Sequence, residues 1–414
     1  MNKTRESFLK TFIKKLNKKT KDDNKINNNE ELKVIYNDIY TAYALMKKTK
    51  KLRSDIKKET EMSKPDIYDS HFLPLEINEY IVKNTKYQLT YSNDHDDDND
   101  IKIHFALFSE NELEHLDNYT EQAEIIIMWL YICRLYSMKT CANKINIYIY
   151  PTPFTKKLPK SNIDILSAEH VNTAYTYHCP KDAEIIIFRN EEWFKVFLHE
   201  SFHTYGLDFS NIHYNNKNNV LYNKLKNIFP IESEFNVTEA YAETWARIMN
   251  CAICVFYALK NKKDENKFIE YMHSSLELEK SFSIFQCNKI LKFMGMEYKD
   301  LYEKEEKSST LKRQLYKEKT NVFAYYIITS ILMNDVSGFL KWCSDHNTSL
   351  LQFNNKSQQA LKEFGEYIEK EYKTEAMNEC LKEMNELYLH TTSKSNKNKM
   401  NNLLLETTRM TLFG

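Results

Sequence analysis

At about residue 190 the apolar pattern of this chain changes period, and no other feature restricts its fold as much. Upstream, KYQLTYS (86–92), IKIHFALF (101–108), KINIYIY (144–150), VNTAYTYH (171–178) and AEIIIFR (183–189) alternate or run apolar over lengths that suit strands. NDHDDDND, between the first two, lacks the glycine and final glutamate of an EF-hand loop and reads as a solvated hairpin tip. TEQAEIIIMWLYICRLYSM (120–138) is apolar on most sides, as a helix packed across a sheet must be. Downstream the period is helical at 237–260, 265–293, 310–334 and 356–388, and an earlier helix is expected at 31–60. Only five glycines and seven prolines interrupt 414 residues, so long helices with tight polar connections follow.

The expected class is α+β: a small mixed sheet packed on one helix, with a helical N-terminal extension and a large all-helical C-terminal region. The segments are 1–30 (basic helix and linker), 31–84 (helical), 85–210 (sheet and its packing helix), 211–300 (two further helices), 301–390 (C-terminal helices) and 391–414 (a low-complexity, then weakly apolar tail). Lys and Arg balance Asp and Glu at 58 each, which gives no general attraction to nucleic acid. No stretch reaches 18 apolar residues, so no transmembrane span is expected. The N-terminus lacks the apolar core and small-residue cleavage site of a secretion signal. Eight cysteines scattered through a core-forming chain read as reduced, intracellular thiols. Residues 1–20 carry Phe8, Leu9, Phe12, Ile13 and Leu16 on one side of a basic helix, a docking segment for a partner, a membrane surface or the chain's own body.

FKVFLHESFHTYGLDF (194–209) carries the chemistry. His199 and His203, four apart, lie on one helix face around Glu200, and a chance match to this pattern has an expectation of roughly 0.03 in such a chain. Asn190 is the expected cap of that helix, Glu191 and Glu192 suit its positive first turn, and Gly206 can close it in the left-handed conformation. Two imidazoles at this spacing reach one zinc ion at about 2.0 to 2.1 Å. Such an ion lowers the pKa of a bound water to about 7, and Glu200 is placed to take its proton. One turn apart downstream, Glu239 and Glu243 begin the helix TEAYAETWARIMN.

These residues resemble the gluzincin group of zincin metallopeptidases, over about residues 85–260. The resemblance implies one zinc per chain, held by His199, His203 and Glu239, with Glu200 as general base and Glu243 orienting a histidine from behind. Glu239-Ala240-Tyr241-Ala242-Glu243 looks most like the corresponding helix of anthrax lethal factor type peptidases. Metzincins are excluded because Phe209 stands where their third histidine falls, and Asp208 is one position short for an aspartate-ligand zincin. Two plainer roles compete: Glu239 in a capping box with Asn236, and Glu243 paired with Arg247. Asn172, Thr173 and Ala174 resemble the edge strand on which such enzymes pair an extended substrate. An oxyanion donor is expected outside these helices, with His213, Tyr325 and Tyr326 as candidates. The wording INIYIYPTPFTKKLP and EEWFKVFLHE is also similar to uncharacterised metallopeptidase-like proteins of large nucleocytoplasmic DNA viruses. The implied partner is a protein or peptide substrate, in the host cytoplasm or the virion if the chain is viral. The rival functions are a catalytically silent structural or virion-associated protein with this fold, and a zinc hydrolase of a non-peptide amide.

Overall fold

Isoleucine-rich segments build a mixed six-stranded sheet. The strands are β1 (Arg53–Lys58), β2 (Tyr87–Ser92), β3 (Ile101–Leu107), β4 (Lys144–Ile149), β5 (Ala174–Thr176) and β6 (Asp182–Ile187), in the order β1-β2-β3-β4-β6-β5. β3, β4 and β6 run parallel at its centre, while β1, β2 and β5 are added antiparallel. This computed structural model describes residues 29–48, 52–58, 61–66, 71–93, 100–138, 140–210, 219–354, 358–393 and 399–413. The basic helix expected at 1–20, most of the acidic tip and His213 lie outside them.

Alternation along the strands sorts side chains between two faces. Ile103, Ile147 and Ile185 sit side by side in register and are fully buried in the main core. Each such isoleucine contributes about 1.5 to 3 kcal/mol. The helix Leu116–Tyr136 covers this face, with Tyr119 meeting Phe105 edge-on at 5.1 Å. Tyr148 and Ile186, one position out of phase, join a smaller cluster with Ile77 and Ile81 of the helix Leu75–Asn84.

The fold is α+β, and one apolar core runs from Leu32 to Leu412. Four expected segments differ. The helix expected at 31–60 ends at Lys48, and Arg53–Lys58 instead forms the polar, largely exposed edge strand β1. The helix expected at 310–334 is divided into Glu306–Leu315, a π-helical stretch Phe323–Ile328 and Thr329–Asn334. The 356–388 helix is likewise two, Gln358–Glu371 and Glu375–Thr392. The tail expected to be only weakly apolar forms a helix, Lys399–Glu406, and then enters the core, with Thr407 to Leu412 all buried. Among the described residues, no single helix is long and apolar enough to cross a membrane.

Candidate metal centre

The motif helix runs from Trp193 to Thr204, and every residue from Lys195 onward is buried. Its start is not at Asn190. Glu192 precedes it in the left-handed region at φ 57°, because its carboxylate is used elsewhere: it pairs with Lys156 at 2.6 Å and accepts the backbone N–H groups of Met410 and Thr411. Glu191 likewise leaves the first turn and accepts the Lys156 amide at 2.6 Å. At the other end Gly206 takes φ 60° and donates to the His203 carbonyl, which also accepts from Cys179. Phe202 stacks on Trp245 at 6.2 Å and so locks this helix against Thr238–Ala258.

That packing brings His199, His203 and Glu239 together. His199 Nε2 lies 3.2 Å from His203 Nε2 and 3.1 Å from Glu239 Oε2, and His203 Nε2 lies 3.5 Å from the same oxygen. A tetrahedral zinc with bonds of about 2.0 to 2.1 Å has ligand–ligand edges of about 3.3 Å. The three gaps bracket that edge. The outer nitrogens are also engaged. His203 Nδ1 is hydrogen-bonded to Asp208, whose other oxygen lies 3.4 Å from His178 Nδ1. His199 Nδ1 lies 3.2 Å from Glu243 Oε2, an ion-pair distance without hydrogen-bond alignment. With protons drawn to both Nδ1 atoms, the two Nε2 lone pairs and a carboxylate oxygen face one point. Such a donor set fits a divalent cation.

Electrostatics agree with the geometry. Burial opposes charge on both histidines, yet Glu239 and Glu243 around His199, and Asp208 and Glu239 around His203, outweigh it and raise both pKa values. Burial likewise works against ionised Glu239 and Asp208, but the imidazoles hold both well below the ordinary carboxylate range. Burial pushes the Glu200 carboxyl up, against the opposing pull of His199 and His203. Glu243 is held far below the usual range, its burial overcome by Lys195, bound through both oxygens at 2.9 Å, and by Arg247 at 2.9 Å.

The pairing of Glu243 with Arg247 therefore coexists with its approach to His199. The capping box does not form: Asn236 Oδ1 accepts from Thr238, and the helix is preceded by Val237. Of the oxyanion candidates, Tyr325 is at the site, its hydroxyl donating to Glu239 Oε2 at 2.8 Å and its ring centred 5.8 Å from that of His199. Tyr326 points its hydroxyl to the Thr408 carbonyl instead. Ala174 opens β5, the last strand on this side of the sheet, and Asn172 and Thr173 stand just before it, beside His199 and Glu200.

Four contributors were not singled out from the sequence as parts of the site: Asp208, His178, Lys195 and Met410. Asp208 had a local signal, since a left-handed Gly206 two residues earlier turns the chain back under His203. Lys195 stands one turn before His199 on the same helix but finds its partner, Glu243, only through packing, and His178 and Met410 arrive from elsewhere in the chain. The cysteines also need correction: Cys141 and Cys179, 38 residues apart, form a disulfide, because the segment before β4 and the turn between β5 and β6 meet beside Gly206. No protein family, curated protein or solved structure matches the chain.

Proposed function

We propose that this chain is a zinc-dependent peptidase in which the sheet, the motif helix and Thr238–Ala258 make a zincin-like unit of the gluzincin kind. The observation that carries the reading is the convergence of His199 Nε2, His203 Nε2 and Glu239 Oε2 at tetrahedral-edge distances, with His203 Nδ1 hydrogen-bonded to Asp208 and His199 Nδ1 3.2 Å from Glu243. These three residues would hold the ion. Zinc bound there supplies Lewis acidity, which lowers the pKa of water and polarises a carbonyl.

The chain's own groups do the rest. Glu200 takes the proton of the attacking water and delivers it to the leaving amine. The Tyr325 hydroxyl, which donates to Glu239 at 2.8 Å, would donate to the oxyanion as it develops. The edge of β5 offers main-chain partners to an extended substrate.

Metal analysis and one variant test this. The purified, zinc-loaded protein is expected to carry one zinc per chain and to cleave peptides. Glu200→Gln is expected to keep the metal and lose on the order of 10² to 10⁴ in rate. Less than half an equivalent of zinc, or wild-type cleavage by Glu200→Gln, contradicts the proposal.

A further inference from the structure

Beside Glu200 lies a cavity of about 30 Å³, room for one or two waters. Three distant parts of the chain enclose it: Asn172 to Ala174 at the edge of the sheet, Lys195 and Val196 one turn before His199, and Met410. Its lining is buried except for Asn172 and Tyr325, so it opens toward the edge on which an extended backbone pairs.

Met410 is a fixed wall. Its amide and that of Thr411 both donate to Glu192 Oε1, at 2.8 and 2.6 Å, and Glu192 is clamped by Lys156. Leu412 and Phe413 donate to Glu279 Oε1 at 2.7 and 3.1 Å. Withdrawing this segment would strand two fully buried carboxylates, so the wall does not act as a lid. Charge is not what the cavity reads. The Lys195 ammonium is held by both Glu243 oxygens, and Lys156 is taken by Glu192. The Thr173 hydroxyl, 3 % exposed as a residue, has no hydrogen-bond partner among the described residues.

We propose that Met410 sets the size limit of the substrate pocket beside Glu200, so that the residue seated there is glycine, alanine or serine, with Thr173 Oγ1 available to a serine hydroxyl. The inference rests on the peptidase reading and names its substrate class. A pocket this small excludes a branched or aromatic side chain by volume alone, and a single methylene is worth about 10- to 200-fold in such discrimination.

The test uses the zinc-loaded full chain and peptides randomised around the cleaved bond. Wild type is expected to cleave where a small residue occupies the pocket position. In Met410→Ala, and independently in Val196→Ala on the motif helix, the ratio of leucine- to alanine-containing cleavage is expected to rise about tenfold or more. A second readout needs no turnover: in the cobalt-substituted protein, the visible spectrum should respond to acetohydroxamate but not to the hydroxamate bearing an isobutyl group, and to both in Met410→Ala. Wild-type acceptance of large and small residues alike, or variants with the wild-type profile at equal metal content, overturns the assignment of Met410. If no peptide is cut while the hydroxamates still discriminate, the peptidase reading fails and the pocket assignment stands.

Discussion

Glu239 and Glu243 stand one turn apart on one helix, yet their surroundings give them different tasks. Glu239 Oε2 faces both Nε2 atoms, whereas Glu243 is enclosed by Lys195, Arg247 and the rear of His199. Glu239→Ala is therefore expected to leave a two-histidine site that yields its zinc to mild chelators, with little loss of stability. Glu243→Ala should weaken zinc by about 10- to 100-fold and, by stranding two buried cations, cost about 3 to 5 kcal/mol in stability. Asp208→Ala should match the loss of affinity without stranding a lysine or arginine. Zinc occupancy and melting temperature measured on the three variants separate these outcomes; a Glu243→Ala protein emptied of zinc while Glu239→Ala stays full would reverse the two roles. The two histidines were legible because helical spacing alone puts them on one face. Asp208 was missed by a count along the helix, which ends at Gly206; the turn expected at that glycine was the signal that places it under His203.

The elements show why period reading succeeds inside and fails at edges. Strands β4 and β6 announce themselves because both their faces meet apolar clusters, and β3 because Ile101, Ile103, Phe105 and Leu107 alternate into the main core. β1, with sequence RSDIKK, carries no such signal, since a charged, exposed strand is what protects a sheet edge from further pairing. The division of the 310–334 segment was equally hidden. Glu318 ends an approach to the π-helical stretch that carries Tyr325, accepting the Phe323 amide at 2.7 Å with the Tyr316 hydroxyl close by. Burial raises its pKa to about 8 from an ordinary 4.5, outweighing the backbone amides that favour its charged form. The folded chain thus keeps this proton while the unfolded chain releases it near 4.5, so the group subtracts stability as pH rises from 4.5 to 8. Glu318→Gln mimics the protonated form and removes that slope. Its melting temperature relative to wild type is expected to climb between pH 5 and pH 8; a difference flat across that range would mean that Glu318 is already ionised in the folded state.

At the scale of the whole molecule, the site is assembled from segments as far apart in sequence as Lys156 and Met410. Residues 407–413 thread between helices and present their backbone to Glu192, Glu279, Lys289 and Tyr326, all buried. Nothing in the spacing of TTRMTLF signals this, because the apolar content is low and the anchoring comes from buried polar side chains far away in sequence. The disulfide acts on the same scale from the opposite side. Cys179 donates its amide to the His203 carbonyl, and the neighbouring His178 faces Asp208, so the Cys141–Cys179 link ties the segment before β4 to the rear of His203. Closing a 38-residue separation removes about 4 kcal/mol of unfolded-state entropy in the chain-entropy model. A side chain at Gly206 would be strained against this link, with φ 60° and the place of a Cβ 3.2 Å from Cys141 Sγ. With two of the eight cysteines joined, a thiol reagent should titrate six groups in the denatured, unreduced chain and eight after reduction. Reduction, or Cys141→Ser with Cys179→Ser, should lower the melting temperature and speed zinc loss to a chelator, because the His178–Asp208–His203 support is no longer tethered. Eight titratable thiols before reduction would remove the disulfide; a lower melting temperature with unchanged zinc release would confine its role to stability.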